Sequence, residues 1–341
     1  MFKLRNHSTD PAFNLAFEEY FTGKAARMGD SMLFFWRNRP SVIVGRFQNT
    51  FGEVHSAMAN ELGIDVVRRN TGGGAVYHDL GNLNYSFILP VGSNDYIQDA
   101  KNAAPFDLLF EIILKLLHKL GAKAEKSGRN DLLLDGRKIS GAARQLTKTG
   151  LLLHGTLLFD VDLETLGKVL SVDPSKYESK GLKSVRSRVC NLKEVVPAGM
   201  DIRSFQAALE AALDAEEYIP GGDDIAAIEV LAETKYRSWE WNWGSSPAST
   251  LQKKRRFPWG SLEIHLALEN GLITNAAIYG DFFSDAAVIS GLSENAVLGI
   301  AKAMTGMKHQ GQELRKLLAS MPLEKIFIGS DPEELIAFFM E

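Results

Sequence analysis

The chain has 341 residues, enough for about two domains at roughly 150 residues each. Its content of 45% hydrophobic, 23% charged and 9% aromatic residues is that of a globular protein and excludes a disordered or fibrous one. Thirty-eight Lys and Arg against 42 Asp and Glu leave a net charge of −4, which argues against a general nucleic-acid or membrane-surface binder, since both need excess cations.

The single cysteine, Cys190, excludes an internal disulfide framework and a cysteine-rich zinc site, so a reducing, cytoplasmic location is expected. The opening MFKLRNHSTDP lacks the apolar run of a secretory signal, and the most apolar segment, LLFEIILKLLHKLG, is broken by Glu111, Lys115 and Lys119.

Asp10-Pro11 reads as a helix cap followed by proline at the first helical position, with Phe13, Ala16, Phe17 and Tyr20 recurring at helical spacing. MLFFW (32–36), SVIVG (41–45), DVVRR (65–69) and NYSFIL (84–89) read as strands. Pro105 opens a helix with an apolar stripe from Leu108 to Leu120, ended by Gly121. DLLLDGRKISG reads as a β-hairpin turning at Asp135-Gly136, and LLLHGTLLF as a buried strand after a turn at Gly150.

Residues 172–190 read as a long loop, and Ile202 to Glu216 as a helix. The small-residue stretch Ser245 to Thr250 marks a boundary, giving domains over 1–245 and 254–341 with a linker over 246–253, the run Lys253 to Arg256 lying on its solvated edge. Beyond it, GSLEIHLALE and LITNAAIY flank Asn270-Gly271 as a hairpin. Two or three helices follow, the last opened by Asp331-Pro332 with Glu334 completing a capping box. Strands and helices without regular βαβ alternation make both domains α+β.

Three segments could carry chemistry. In Arg68-Arg69-Asn70-Thr71-Gly72-Gly73-Gly74-Ala75-Val76-Tyr77-His78-Asp79, three glycines would let backbone N–H groups approach a phosphate or a flat ligand, with the arginines as bidentate anion donors; a plain hairpin turn is the alternative. The run is neither a Walker loop nor a dinucleotide fingerprint. In the hairpin, pairing outward from Asp135-Gly136 sets Leu134 against Arg137, Leu133 against Lys138, Leu132 against Ile139 and Asp131 against Ser140. That gathers Asp131, Lys138 and Ser140 on one face, either a reactive one or simply a solvated one. Lys180, Lys183, Arg186 and Arg188 form the third, a cationic loop that is either an anion-binding lid or solvated surface. Taken singly, Trp36 and His154 read as core residues and Cys190 as an inert thiol.

In this order, LFFWRNRPSVIVGRFQN, VRRNTGGGAVYHDLGNLNYSF, SGRNDLLLDGRKISGAAR, LLLHGTLLFDVDL, KGLKSVRSRVCNL and SWEWNWG resemble the lipoate-protein ligase A family, and the C-terminal remainder resembles its small accessory domain. The resemblance implies a large mixed-sheet domain related to biotin protein ligase and to the class II aminoacyl-tRNA synthetase core. It implies that ATP and lipoate form a lipoyl-adenylate, from which a lysine of an acceptor protein takes the acyl group. It implies ATP contacts at Arg69, Gly74, Ala75, Val76, Tyr77, Asp131, Lys138, Lys183, Ser184 and Arg186, and lipoate contacts at Trp36, Arg69, Gly73, Gly74, His78, Lys138 and His154. Lys138, touching both, is the expected catalytic residue. Mg2+ on the phosphates is expected, with its protein ligand unknown. The implied acceptors are lipoyl domains of 2-oxoacid dehydrogenase acyltransferase subunits and the glycine-cleavage H protein, and octanoate is a possible second acid.

This chemistry suits the residues. A carboxylate acylates no amine at neutral pH until it becomes a mixed anhydride, and that step asks for positive charge where carboxylate and phosphate oxygens converge rather than for a protein nucleophile. Two rivals stand beside the ligase: a lipoyl or octanoyl transferase using a preformed donor, and a non-catalytic lipoate-binding or sensor protein.

Overall fold

The structure is a computed structural model that describes residues 1–90, 104–128, 130–170, 189–243, 251–269, 271–284, 296–309 and 311–341. Its strands are β1 (Phe2–Leu4), β2 (Met32–Trp36), β3 (Ser41–Val44), β4 (Asp65–Arg68), β5 (Val76–His78), β6 (Asn82–Pro90), β7 (Glu125–Ser127), β8 (Asp131–Leu134), β9 (Arg137–Leu146), β10 (Gly150–Leu158), β11 (Glu216–Tyr218), β12 (Leu251–Phe257), β13 (Gly260–Glu269) and β14 (Leu272–Gly280). Eight of them form one sheet in the order β11-β1-β2-β6-β10-β9-β8-β7, parallel at the β11-β1-β2 end and antiparallel elsewhere. A second sheet, β4-β3-β5, shares a core with it through Ile43 and Val67, which join Trp36, Ile88 and Leu152, and β12-β13-β14 forms a third. Mixed sheets with segregated helices give the α+β class.

The period-two alternation of the large sheet creates the site. Leu33 and Phe35 of β2, Leu83, Tyr85 and Phe87 of β6, and Leu151, Leu153 and Leu157 of β10 all face the helix Ala104–Lys119 and form one core with its Phe106, Leu109, Phe110, Ile113 and Leu117. The intervening residues face the other way. Met32, Phe34, Ile88 and Leu152 pack there on Leu15, Ala16, Phe17 and Phe21 of the helix Pro11–Met28. Cross-strand register aligns Trp36 with Asn84, Ser86 with His154 and Asn84 with Thr156, so this second face also carries a polar strip.

The helix Pro11–Met28 starts as its sequence dictates: the Asp10 side chain accepts from the Ala12 N–H and Pro11 occupies the first turn. Gly29 ends it at φ 71°. Asp135 (φ 50°) and Gly136 (φ 74°) form the expected tight turn, and Gly271 turns β13 into β14 at φ 77°.

The structure departs from the sequence reading at five places. A bulge between Leu132 and Leu133 shifts the hairpin register, so Leu132 pairs with Ser140 and Asp131 with Gly141, Ile139 being the extra residue. The helix from Ile202 stops at Ala211, past its last buried residue Leu209, and Glu216–Tyr218 instead joins the sheet edge as β11. Residues 251–253, expected in the linker, belong to β12 and pair with β13, and Lys253 to Arg256, expected on a solvated edge, lie within the same strand, Lys253 Nζ donating to Phe339 O at 2.9 Å; the rest of the expected linker, 246–250, lies outside the described residues. The capping box at Asp331 is half made: Glu334 N donates to Asp331 Oδ1 at 2.9 Å without the reciprocal bond among those formed. Four helices follow β14 among the described residues, Ala296–Met304, Gln312–Ala319, Leu323–Ile326 and Pro332–Met340, and they cover the third sheet over Leu262, Ile264, Leu266 and Phe282. None of the described helices is long and apolar enough to cross a membrane.

Candidate active site

A cavity of about 290 Å3 lies between the polar strip of the large sheet and the segment Gly73–His78 that leads into and forms β5. It gathers Trp36, Arg69, Gly73, Gly74, Ala75, Val76, Tyr77, His78, Lys138 and His154 from four separate segments of sequence. Asp131 stands at its rim through an ion pair with Lys138. Lys183, Ser184 and Arg186 fall outside the described residues, but the segment following them returns to the site: Val189 bridges Lys138, and Cys190 N donates to Lys138 O at 3.1 Å.

One wall is a continuous hydrogen-bonded chain. Trp36 Nε1 donates to Ser86 Oγ at 2.7 Å, and Ser86 Oγ donates to Glu18 Oε1 at 2.5 Å. His154 Nδ1 lies 2.8 and 3.0 Å from the two Glu18 oxygens, and its Nε2 lies 2.7 Å from Thr71 Oγ1. Arg69 Nε then donates to Thr71 Oγ1 at 2.9 Å. A proton on His154 Nδ1 satisfies every member, since the carboxylate only accepts and the threonine hydroxyl then donates to Nε2.

Arg69 continues that chain into the glycine segment. Its Nη1 donates to Ile43 O at 3.1 Å and its Nη2 to Gly72 O and Gly74 O at 2.7 and 2.9 Å. Burial lowers its pKa to about 10, with Glu18 opposing and Arg68 reinforcing, so it remains a cation at neutral pH. Arg68 is spent in the same manner on Gly45 O, Gln48 O and Trp241 O at 2.8, 2.7 and 2.9 Å, and on Thr50 Oγ1 at 2.6 Å. Both arginines, expected as anion donors, thus hold backbone carbonyls. Trp241 Nε1 donates to Arg68 O at 2.8 Å, so the tryptophan-rich segment also braces this loop.

The three glycines serve different ends. A Cβ on Gly72 would fall 2.2 Å from Phe282 O, Gly73 has φ +92°, and a Cβ on Gly74 would meet nothing within 4 Å. Close approach to another part of the chain dictates the first, backbone conformation the second, and only Gly74 opens onto free space beside the cavity.

His78, Asn82 and Asn84 bring polar atoms without protein partners. Asn38 Nδ2 donates to His78 Nδ1 at 3.1 Å, which places the hydrogen of the neutral ring on Nε2, a buried atom with no partner. Burial lowers the His78 pKa to about 3, with the Arg69 charge and His154 adding to it. Asn82 Nδ2 donates to Asn84 Oδ1 at 3.0 Å, leaving Asn82 Oδ1 as an open acceptor and Asn84 Nδ2 as an open donor. Sequence reasoning missed both asparagines, although Asn82, Asn84 and Ser86 alternate with Leu83, Tyr85 and Phe87.

The opposite side is wetter. Lys138 Nζ lies 2.8 Å from Asp131 Oδ1, the two side chains being 39% and 34% exposed. Gly141 makes room for this lysine, since a Cβ there would sit 2.8 Å from Nζ. Ser140, expected beside Lys138, is buried instead and hydrogen-bonds Tyr85 Oη at 2.9 Å, a result of the bulge. No group of three or more His, Cys, Asp or Glu side chains suited to a metal occurs among the described residues. Cys190 is buried, and burial pushes its thiol pKa up, with Arg137 opposing.

Residues 10–214 match the lipoyl protein ligase A/B catalytic domain, and residues 246–339 match the bacterial lipoate protein ligase C-terminus. Lipoate-protein ligase LplJ of Bacillus subtilis is 37% identical over 334 residues, covering 96% of each chain. A solved bipartite lipoate protein ligase of Thermoplasma acidophilum, described with its E2 lipoyl domain, is 30% identical with a TM-score of 0.61 over 73% of this chain and 98% of that one. A solved lipoate-protein ligase A bound with ATP is 28% identical, with a TM-score of 0.59 over 71% of this chain and 98% of that one. The chain belongs to the lipoate-protein ligase family.

Proposed function

We propose that the protein is an ATP-dependent ligase that converts lipoate to lipoyl-AMP and passes the lipoyl group to a lysine of a lipoyl domain. In the first step a lipoate carboxylate oxygen attacks the α-phosphorus of ATP, the bond to the β-phosphate oxygen breaks, and pyrophosphate leaves. In the second, a neutral lysine amine attacks the acyl carbon, the bond to AMP breaks, and the amine loses a proton. The observation that carries this reading is Lys138: a half-exposed ammonium, paired with one carboxylate, on the rim of a cavity whose opposite wall is a buried, hydrogen-bonded chain.

Lys138 Nζ can exchange Asp131 for the converging carboxylate and phosphate oxygens, and one such preorganised donor contributes about 2.7–4 kcal/mol to the transition state. Gly74 and the backbone through Tyr77 border the nucleotide, and Lys183, Ser184 and Arg186, outside the described residues, are proposed as further phosphate contacts. Trp36, His78 and His154 flank the acid. His78 Nε2 and Asn84 Nδ2 are unpaired donors for ligand oxygens. Magnesium fits as an ion carried by the phosphates: phosphate oxygens and water would make up most of its shell, with Asp131, the carboxylate at the rim, as the side chain that would hold it. When bound it neutralises phosphate charge.

A transferase working through a thioester would need an accessible thiol, and the one thiol of the chain is buried with a raised pKa. The sensor rival gives no reason for Lys138 at the rim. Lipoyl domains of acyltransferase subunits and the glycine-cleavage H protein are the proposed acceptors, with octanoate as an alternative acid, and catalysis is assigned to 1–245 with the C-terminal unit accessory to it. Mass spectrometry of a purified lipoyl domain after incubation with enzyme, ATP, magnesium and lipoate tests the reading. A lipoyl mass increment that requires ATP is expected; an increment that appears only from a preformed acyl donor would establish the transferase.

A further inference from the structure

The C-terminal unit supplies part of the cavity wall. β14 ends at Gly280, whose N–H donates to Phe47 O at 2.5 Å, and the Phe47 and Phe282 rings stack with centroids 4.7 Å apart and planes 13° from parallel. Gly73 N donates to Phe282 O at 3.3 Å. The next residue, Phe283, is 6% exposed and lines the cavity, while Ile328 N holds its carbonyl at 3.0 Å from within the C-terminal unit. A Cβ on Gly73 would lie 3.4 Å from Cζ of the Phe283 ring and 3.1 Å from Arg69 Nη2. The ring therefore abuts the glycine segment beside the Arg69 fork.

That position has a direction in the cavity. Along β10, Thr156 Oγ1 accepts from Gly141 N at 3.3 Å, beside Lys138, whereas His154 contacts Thr71. These two residues share a face about 7 Å apart, since a strand rises about 3.4 Å per residue. Phe283 belongs with Arg69 and Thr71 at the His154 end. If the carboxylate of the acid lies at Lys138, this end receives its apolar tail.

We infer that Phe283 is a specificity-determining residue for the acyl tail, delivered to the large-sheet cavity by docking of the C-terminal unit on Gly72 and Gly73. The inference rests on the ligase reading. An aromatic ring at this point packs well on the sulfur-bearing ring of lipoate and less well on a straight chain of the same length. Delivery depends on Gly72, because any Cβ there meets backbone rather than a movable side chain.

The test uses the full chain, with Phe283→Ala, Phe283→Leu and Gly72→Ala. Calorimetry gives the affinities for lipoate, octanoate and ATP, and lipoate-dependent pyrophosphate exchange gives kcat and KM. Phe283→Ala is expected to weaken lipoate binding about tenfold, octanoate binding by less, and ATP binding within about twofold. Phe283→Leu should recover octanoate affinity more than lipoate affinity, and Gly72→Ala should reproduce the lipoate defect with Phe283 intact. Equal losses for lipoate and ATP, or unchanged lipoate affinity in a folded Phe283→Ala protein, would overturn the inference. Absence of ATP–lipoate activity in the unsubstituted chain would instead count against the ligase reading.

Discussion

The two sides of the cavity are built by opposite rules. On the glycine-segment side, Trp36, Ser86, Glu18, His154, Thr71 and Arg69 are buried and occupied with one another or with backbone carbonyls. On the hairpin side, Lys138 and Asp131 are half-exposed and hold a single ion pair. Buried, saturated groups resist change because each lost partner leaves an unsatisfied atom, whereas an exposed ion pair contributes little to stability and exchanges partners readily. The first side is therefore read as shape and the second as chemistry, and substitutions should separate into losses of stability and losses of rate.

The largest stability effect is expected at Arg69. Arg69→Ala strands the carbonyls of Ile43, Gly72 and Gly74 and should cost at least about 3 kcal/mol in urea unfolding, with Arg69→Lys failing to restore it because an ammonium cannot reproduce the fork. A folded Arg69→Ala protein of near wild-type stability would break the comparison. His78 sharpens it. Its folded pKa of about 3 lies below the ordinary value of 6.5, so the unfolded chain binds the proton first; stability is full above pH 6.5 and is lost as pH falls toward 3. The loss between pH 6.5 and 5 should be about 1–2 kcal/mol, and His78→Gln should flatten that part of the profile. The smallest effect is expected at Cys190: Cys190→Ser should leave turnover within about twofold of wild type, as adenylate chemistry needs no thiol, while a trapped thioester there would point to acyl transfer.

Legibility in the sequence followed range. The strand Met32–Trp36 and the turns at Asp135-Gly136 and Gly271 are local, and the sequence reading placed all three. β1, β7 and β11, three residues each, are too short to show a period and exist because a neighbour offers an edge. Composition alone does not show what an arginine holds: Arg68 and Arg69 have the charge of anion donors, and both also hold backbone carbonyls, while Arg69 in addition lines the cavity. The one-residue slip at Ile139 lets Ser140 reach Tyr85, a partner 55 residues away. Asn82 and Asn84 were visible in the alternation of NLNYSF, whereas Phe283 joins the cavity from a distant segment that no local pattern connects to it.

Lys138 is the centre of the site, and lipoate-dependent ATP–pyrophosphate exchange by Lys138→Ala, measured beside its unfolding midpoint, tests its role most directly. Exchange should fall about 100- to 1,000-fold, the worth of one preorganised donor, with stability within about 0.5 kcal/mol of wild type. Exchange close to wild type in a folded Lys138→Ala protein would contradict the division of the cavity into a wall that sets shape and a rim that carries out the reaction.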